Sequence, residues 1–142
     1  ELFAREGGRV VVAERDAATG ESVRDAVLAA GGTCVFVQTD VSEPTSVERA
    51  VATCIESFGR IDVLYNNVGG STLNDGPVTK VPFDEFWNKM RVDLFGTWLG
   101  CHYAIPKMIE GRMRNYYAEK VLSEQPYYLL FVPPNLGRVS WS

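Results

Sequence analysis

Three short clusters in this chain have residue types suited to holding a nucleoside, and each follows a short apolar run. Glu14-Arg15 follows residues 9–13 (RVVVA), Asp40-Val41 follows residues 33–38 (TCVFVQ), and Asn66-Asn67-Val68-Gly69-Gly70 follows residues 61–65 (IDVLY). Buried parallel strands read as β-branched apolar runs of this kind, and ligands of open parallel sheets sit at the carboxyl ends of their strands. A carboxylate after the second strand of a dinucleotide fold accepts hydrogen bonds from a ribose 2′-hydroxyl. An Asp one strand later can accept from an adenine amino group, and a glycine-rich turn lets backbone approach a ribose or pyrophosphate closely. Each cluster also has a plainer reading. Glu14 can be a solvated strand-end charge, Asp40 can open a capping turn with Ser42, and Asn66-Asn67 can be a turn that tolerates left-handed backbone. Recurrence at the same end of successive strands favours the ligand reading.

The elements that must carry these clusters follow from periodicity. Residues 1–6 read as the end of a helix stopped by Gly7-Gly8. From Thr19 the pattern turns helical, with Val23, Ala26, Val27 and Ala30 on one face, until Gly31-Gly32. Ser42 is the expected N-cap of the next helix and Pro44 lies in its first turn. Val47, Ala50, Val51, Cys54, Ile55 and Phe58 form its apolar stripe, and Gly59 closes it. After a polar loop at 71–81, Pro82 is expected to start one long helix. Its apolar face would hold Phe83, Phe86, Trp87, Met90, Leu94, Trp98, Cys101, Ile105 and Met108. Strands alternating with helices predict an α/β fold, a Rossmann-type doubly wound parallel sheet. After residue 109 the register is lost. The pattern allows a short helical stretch near 116–123 and strands at 127–132 (YYLLFV) and 138–141. The expected division is therefore a nucleotide-binding part at 1–109 and a divergent tail or insertion at 110–142.

Composition excludes several classes. The chain has 142 residues, 46% hydrophobic and 23% charged, with net charge −4. That length suits about one domain of ~100–200 residues. The acidic balance argues against nucleic acid as the main partner. Apolar runs stop at four or five residues, far short of the ~18 that a membrane span needs. Cys34, Cys54 and Cys101 have no metal-ligand spacing and read as small buried hydrophobes in a reducing compartment. The sole histidine, His102, reads as a packing or surface residue of the long helix.

The run ELFAREGGRVVVAERD at 1–16, TDVS at 39–42, FGRIDVLYNNVGG at 58–70 and RVDLFGTWLGCHYAIPKMI at 91–109 resembles the short-chain dehydrogenase/reductase family. NNVG is similar to that family's NNAG, with Val68 replacing Ala. The resemblance implies a nicotinamide cofactor and hydride transfer between a secondary alcohol and a ketone. On it, Glu14 matches the acidic position that selects NAD over NADP, while Arg15 beside it could pair with the extra phosphate of NADP. Asp40 and Val41 match the pair that contacts adenine. Asn66, Val68 and Gly69 match the turn that lies along the cofactor ribose and supports the sheet. The net charge of −4 and the absence of targeting signals fit a cytoplasmic protein, and the resemblance implies a homo-oligomer, dimer or tetramer, associating through the long helix near Trp98.

The departures from the family's pattern set further expectations. The glycine-rich TGxxxGxG turn and the strand before it do not precede Glu1, so the sheet is expected to be incomplete. Asp93 stands where the family has a catalytic Asn, and an ionised Asp accepts hydrogen bonds but cannot donate them. Tyr116 and Lys120 form a YxxxK, but no Ser-bearing strand precedes them, so the pair reads as coincidental. The closing GRVSWS resembles the start of the family's next strand, which would make 110–136 an insertion; a frameshifted or mispredicted gene end would read the same way. The chain by itself is therefore expected to be inactive. Two rival readings stay open: a different doubly wound nucleoside-cofactor enzyme of methyltransferase type, and a non-catalytic binding protein on the same fold.

Overall fold

The computed structural model describes residues 1–70, 72–74, 76–118 and 128–130, with side chains described as far as residue 111. The element order is α1 (Leu2–Arg5), β1 (Arg9–Glu14), α2 (Ala17–Ala29), β2 (Thr33–Gln38), α3 (Pro44–Phe58), β3 (Val63–Leu64), α4 (Phe83–Lys89), a π-helical turn (Met90–Phe95), α5 (Gly96–Ala118) and β4 (Tyr128–Leu130). The four strands form one sheet in the order β2-β1-β4-β3, and every pairing is parallel. This is the expected doubly wound architecture.

Alternation along β1 explains why both faces are covered. Val10 and Val12 point to one side and pack with Ala4, Val27 and Cys34. Val11 and Ala13 point to the other and join Val37, Val47, Val51, Cys54, Ile61, Leu99 and Ala104. A strand buried on both faces must be apolar at every buried position, and VVVA at 10–13 satisfies that. On the first face the approach is very close. A Cβ placed on Gly20 of α2 would lie 2.1 Å from the Phe36 ring of β2, so the absence of a side chain there lets the helix rest on the strand.

Several expectations need correction. The N-cap of α3 is Glu43, with Pro44 at N1, rather than Ser42; the Ser42 hydroxyl donates instead to Asp40 Oδ1 at 2.7 Å. The third strand spans two residues rather than five, Val63 and Leu64, which pair with Leu129 and Leu130. The single long helix is in fact two, α4 and α5, joined by the π-helical turn. A π turn carries an extra residue and so rotates the face that follows it. Among the described residues, the buried hydrophobic ones of α5 are Leu99 and Ala104, whereas Leu94, Trp98 and Ile105, placed by periodicity on the apolar face, are exposed, as are Phe83, Phe86 and Trp87 before the turn. Cys101 is half-buried. Cys34 and Cys54 are buried as expected, and burial pushes the Cys54 thiol up to about 12. His102 is on the surface, stacked on Trp98 with ring centroids 4.7 Å apart.

Beyond residue 109 the backbone stays helical to Ala118, which places Tyr116 on α5. Lys120, the strand expected at 138–141 and most of the tail lie outside the described residues. Of the strand expected at 127–132, residues 128–130 are a strand. It lies between β1 and β3, with Arg9 opposite Tyr128 and Val63 opposite Leu129. In the usual doubly wound order 3-2-1-4, this is the place of the first strand.

Candidate functional site

The carboxyl ends of β1 and β2 are joined at the point where they leave the sheet. Thr39 N–H donates to Glu14 O at 2.9 Å, and Gln38 Nε2 donates to Arg15 O at 3.0 Å. Glu14 Oε1 accepts the Asp16 N–H at 2.9 Å. Asp16 in turn caps α2 by accepting from Thr19 N–H at 2.7 Å. This chain of short contacts orients the Glu14 carboxylate beyond the strand end. Thr39, buried between the two strands, turns its hydroxyl back onto Val37 O at 2.9 Å.

Asp40 sits in a compact loop. Its Oδ1 accepts from both Ser42 N–H at 2.9 Å and the Ser42 hydroxyl at 2.7 Å. Its own N–H donates to Ser46 Oγ at 3.0 Å. The Ser42 hydrogen bonds hold its carboxyl below the ordinary carboxylate value, against burial, with the Arg15 charge helping. A carboxyl depressed in the fold adds stability that is fully present above the unfolded pKa and is lost as pH falls through the folded one. Acid unfolding should therefore have an Asp40 component below about pH 4. Asp40→Asn is expected to lower the urea midpoint at pH 7–8, where that stabilisation is fully present, and to flatten its dependence on pH in the acid window; equal slopes in the two proteins would refute this.

The loop after β3 supplies the opposite wall. Gly70 has φ +133°, a backbone conformation that L side chains rarely adopt. A Cβ on Gly69 would lie 3.1 Å from Asp93 Oδ1, so the Asp93 carboxylate rests directly against that glycine. Asp93 belongs to the π-helical turn, a feature frequent at functional sites, and its carbonyl accepts the Thr97 hydroxyl at 2.9 Å. Asn66 faces away from this wall, toward α5. Its Nδ2 lies 3.5 Å from Thr97 O and 3.7 Å from Cys101 Sγ. A Cβ on Gly100 would come within 2.4 Å of its Oδ1. Asn66 thus ties the end of β3 to the helix.

Between these walls lies a cleft of ≈ 300 Å³. Glu14, Arg15, Asp40, Val41, Val68, Gly69 and Asp93 all line it. Asn66 instead lines a smaller adjoining space with Val41, Val68 and Gly96. The cleft also takes in Thr39, Thr72, Asn88, Lys89 and Val92, which the sequence reading did not single out. Asn88, Lys89 and Val92 could have been found from Asp93, because they lie within the turn and a half before it, at the end of α4 and in the π-helical turn. The volume is at the lower end of small-molecule sites. Carboxylates at two strand ends, with Val41 and Val92 as apolar walls, fit the adenosine part of a dinucleotide. Charges of both signs, from Glu14, Asp40 and Asp93 against Arg15 and Lys89, suit a polar ligand. Among the described residues there is no group of three or more His, Cys, Asp or Glu able to hold a metal, and no helix is long and apolar enough to cross a membrane.

Comparison with known proteins identifies the family and agrees with the fold. The short chain dehydrogenase profile matches residues 1–114. An uncharacterized oxidoreductase, YxbG, of Bacillus subtilis (strain 168) is 36% identical over 110 residues, which are 78% of this chain and 40% of that protein. The 2,5-dichloro-2,5-cyclohexadiene-1,4-diol dehydrogenase LinX of Sphingobium indicum is 32% identical over 109 residues, 76% of this chain and 42% of that one. Among solved structures, a Burkholderia xenovorans protein assigned to the short-chain dehydrogenase/reductases superposes with TM-score 0.72 at 33% identity, covering 78% of this chain and 43% of the other. A 3-ketoacyl-ACP reductase from Sinorhizobium meliloti 1021 gives 0.71 at 27% identity, with the same coverage. The chain thus spans about two fifths of the length of the relatives it matches. By sequence and by fold, the chain belongs to the short-chain dehydrogenase/reductase family.

Proposed function

We propose that this chain forms the adenosine side of the cofactor site of an NAD-dependent oxidoreductase acting on a secondary alcohol or ketone. The convergence of Glu14, Arg15, Asp40, Val41, Val68, Gly69 and Asp93 on one cleft at the strand ends carries this reading. The cofactor, when bound, supplies hydride transfer; the residues seen here bind and orient its nucleoside. Glu14 would accept from the ribose hydroxyls and repel a 2′-phosphate, which favours NAD, while Arg15 moderates that preference. Asp40 would take the adenine amino group, and Val41 would pack on the ring. Relatives named as a cyclohexadienediol dehydrogenase and a borneol dehydrogenase support an alcohol as the substrate class.

The test is a fluorescence titration of the 142-residue chain with NADH, NADPH and S-adenosylmethionine, followed by a ketone panel. NADH binding without turnover is the expected result. S-adenosylmethionine binding without NADH binding would favour the methyltransferase-type reading, and turnover at an ordinary enzyme rate would refute inactivity of the chain alone. Glu14→Ala should raise NADPH affinity relative to NADH by about tenfold, the order of one like-charge contact near the surface. An unchanged NADH/NADPH ratio would remove Glu14 as the selecting residue.

We further propose that the intact protein is a cytoplasmic homo-oligomer that associates through the exposed face of α5. Phe95, Trp98 and His102 form a stacked ladder there, and Ile105 and Ile109 extend it. Trp98→Ala should shift sedimentation toward the monomer; identical sedimentation would count against this surface.

A further inference from the structure

We propose that Glu85 is a positioning residue that sets the separation of the two cleft walls by holding Thr72; the functional consequence rests on the nucleotide-site reading above. Glu85 is 8% exposed, although it lies in the first turn of α4 between the exposed Phe83 and Phe86. Burying a carboxylate is unfavourable unless a donor compensates it. The donor is the Thr72 hydroxyl, 2.5 Å from Glu85 Oε1, and the same oxygen of Thr72 accepts Asn74 N–H at 3.3 Å. Thr72 lines the cleft two residues beyond Gly70, the point where the backbone takes positive φ, so its anchorage governs the course of the wall at Gly69-Gly70. Glu85 also lies one helical turn before Asn88 and Lys89, which line the cleft from the other side. The Thr72–Glu85 hydrogen bond therefore joins the loop wall to the helical wall. No cofactor atom is needed for it to act.

The experiment compares the 142-residue chain with Glu85→Gln, Glu85→Ala, Thr72→Val and the Glu85→Ala/Thr72→Val double variant. Amide hydrogen exchange of the peptide covering residues 68–74 is read alongside urea stability and NADH affinity. Glu85→Ala and Thr72→Val should each speed exchange in that peptide by about tenfold, the scale of one lost charge-assisted hydrogen bond. The double variant should go no further than either single one, because both remove the same contact. Glu85→Gln should restore slow exchange, since its amide oxygen accepts the Thr72 proton. NADH affinity should fall in the same order as exchange rises. Additive effects, a Gln variant as fast as Ala, or faster exchange spread evenly over the chain in proportion to lost stability would each overturn the proposal. Thr72 is exposed, so its variant is informative even if Glu85→Ala fails to fold. If the unaltered chain binds no NADH, the nucleotide reading falls, and the exchange comparison still decides whether Glu85 holds the wall.

Discussion

Gly96→Val is expected to remove nucleotide binding from this chain and to lower its stability by about 1–3 kcal/mol, the usual range for overpacking. Gly96 is the first residue of α5, where the helix meets the loop that follows β2. A Cβ at that position would stand 2.9 Å from Val41 Cγ2, 3.1 Å from Val41 Cβ and 3.2 Å from Val41 O. A side-chain methyl can swing aside, but the carbonyl oxygen is backbone, so the Asp40–Val41 loop must move as a unit. That loop supplies one wall of the cleft, and the Asp40 carboxylate moves with it. Nucleotide titration and urea unfolding on the same sample separate the two effects. Gly76→Ala serves as the control, because its Cβ would meet only Val81 Cγ2 at 3.9 Å; both measurements should stay near the unaltered values. Undiminished affinity in Gly96→Val would mean that the Val41 loop does not shape the site.

Leu99→Ala should cost about 2–5 kcal/mol of folding free energy, the range for truncating a large core side chain. Ile105→Ala on the same helix should stay within about 0.5 kcal/mol. Leu99 is 2% exposed and packs in the core beneath β1 and α3, whereas Ile105 is 46% exposed. Against a total stability of about 5–15 kcal/mol for a domain, the first loss brings the chain close to unfolding. Chemical denaturation of the two variants checks the contrast directly. Similar losses at both positions would mean that the face of α5 holding Leu99 is not the buried one, and that the periodicity reading of one continuous apolar face was right. The measurement uses a monomeric sample, because self-association through the exposed face would itself stabilise the fold.

The helix after the polar loop shows where periodicity reaches its limit. A 3.6-residue repeat assumes that every turn is alike, and residues 83–109 satisfy it well enough to suggest one helix. The π-helical turn breaks that assumption without a Gly or Pro to announce it. The buried face then passes to Leu99 and Ala104, and Gly96 and Gly100 become points of close approach to Val41 and Asn66. In the same way, Ser42 reads as an N-cap because its residue type suits one. In the structure it lies one residue before the cap at Glu43, and its hydroxyl donates back to Asp40 Oδ1. Glu85 gave no signal at all: an acidic residue in a first helical turn is ordinary, and its burial and its bond to Thr72 are visible only in the folded chain.

From the sequence alone come the alternation of strands and helices, the buried character of β1 and the positions at which each strand ends. These are local properties. A run of β-branched residues, a glycine stop or a strand-end carboxylate has the same meaning wherever the chain later goes, and so Glu14, Asp40 and the 66–70 turn could be named as a group. Tertiary structure decided what those residues face. It brought Asp93 against Gly69, turned Asn66 to α5, added Thr72 and Lys89 to the cleft, and set β4 between β1 and β3. None of these contacts is encoded by spacing, because each depends on how two distant segments pack, and a shift of one residue in a helical turn is enough to exchange a buried face for an exposed one.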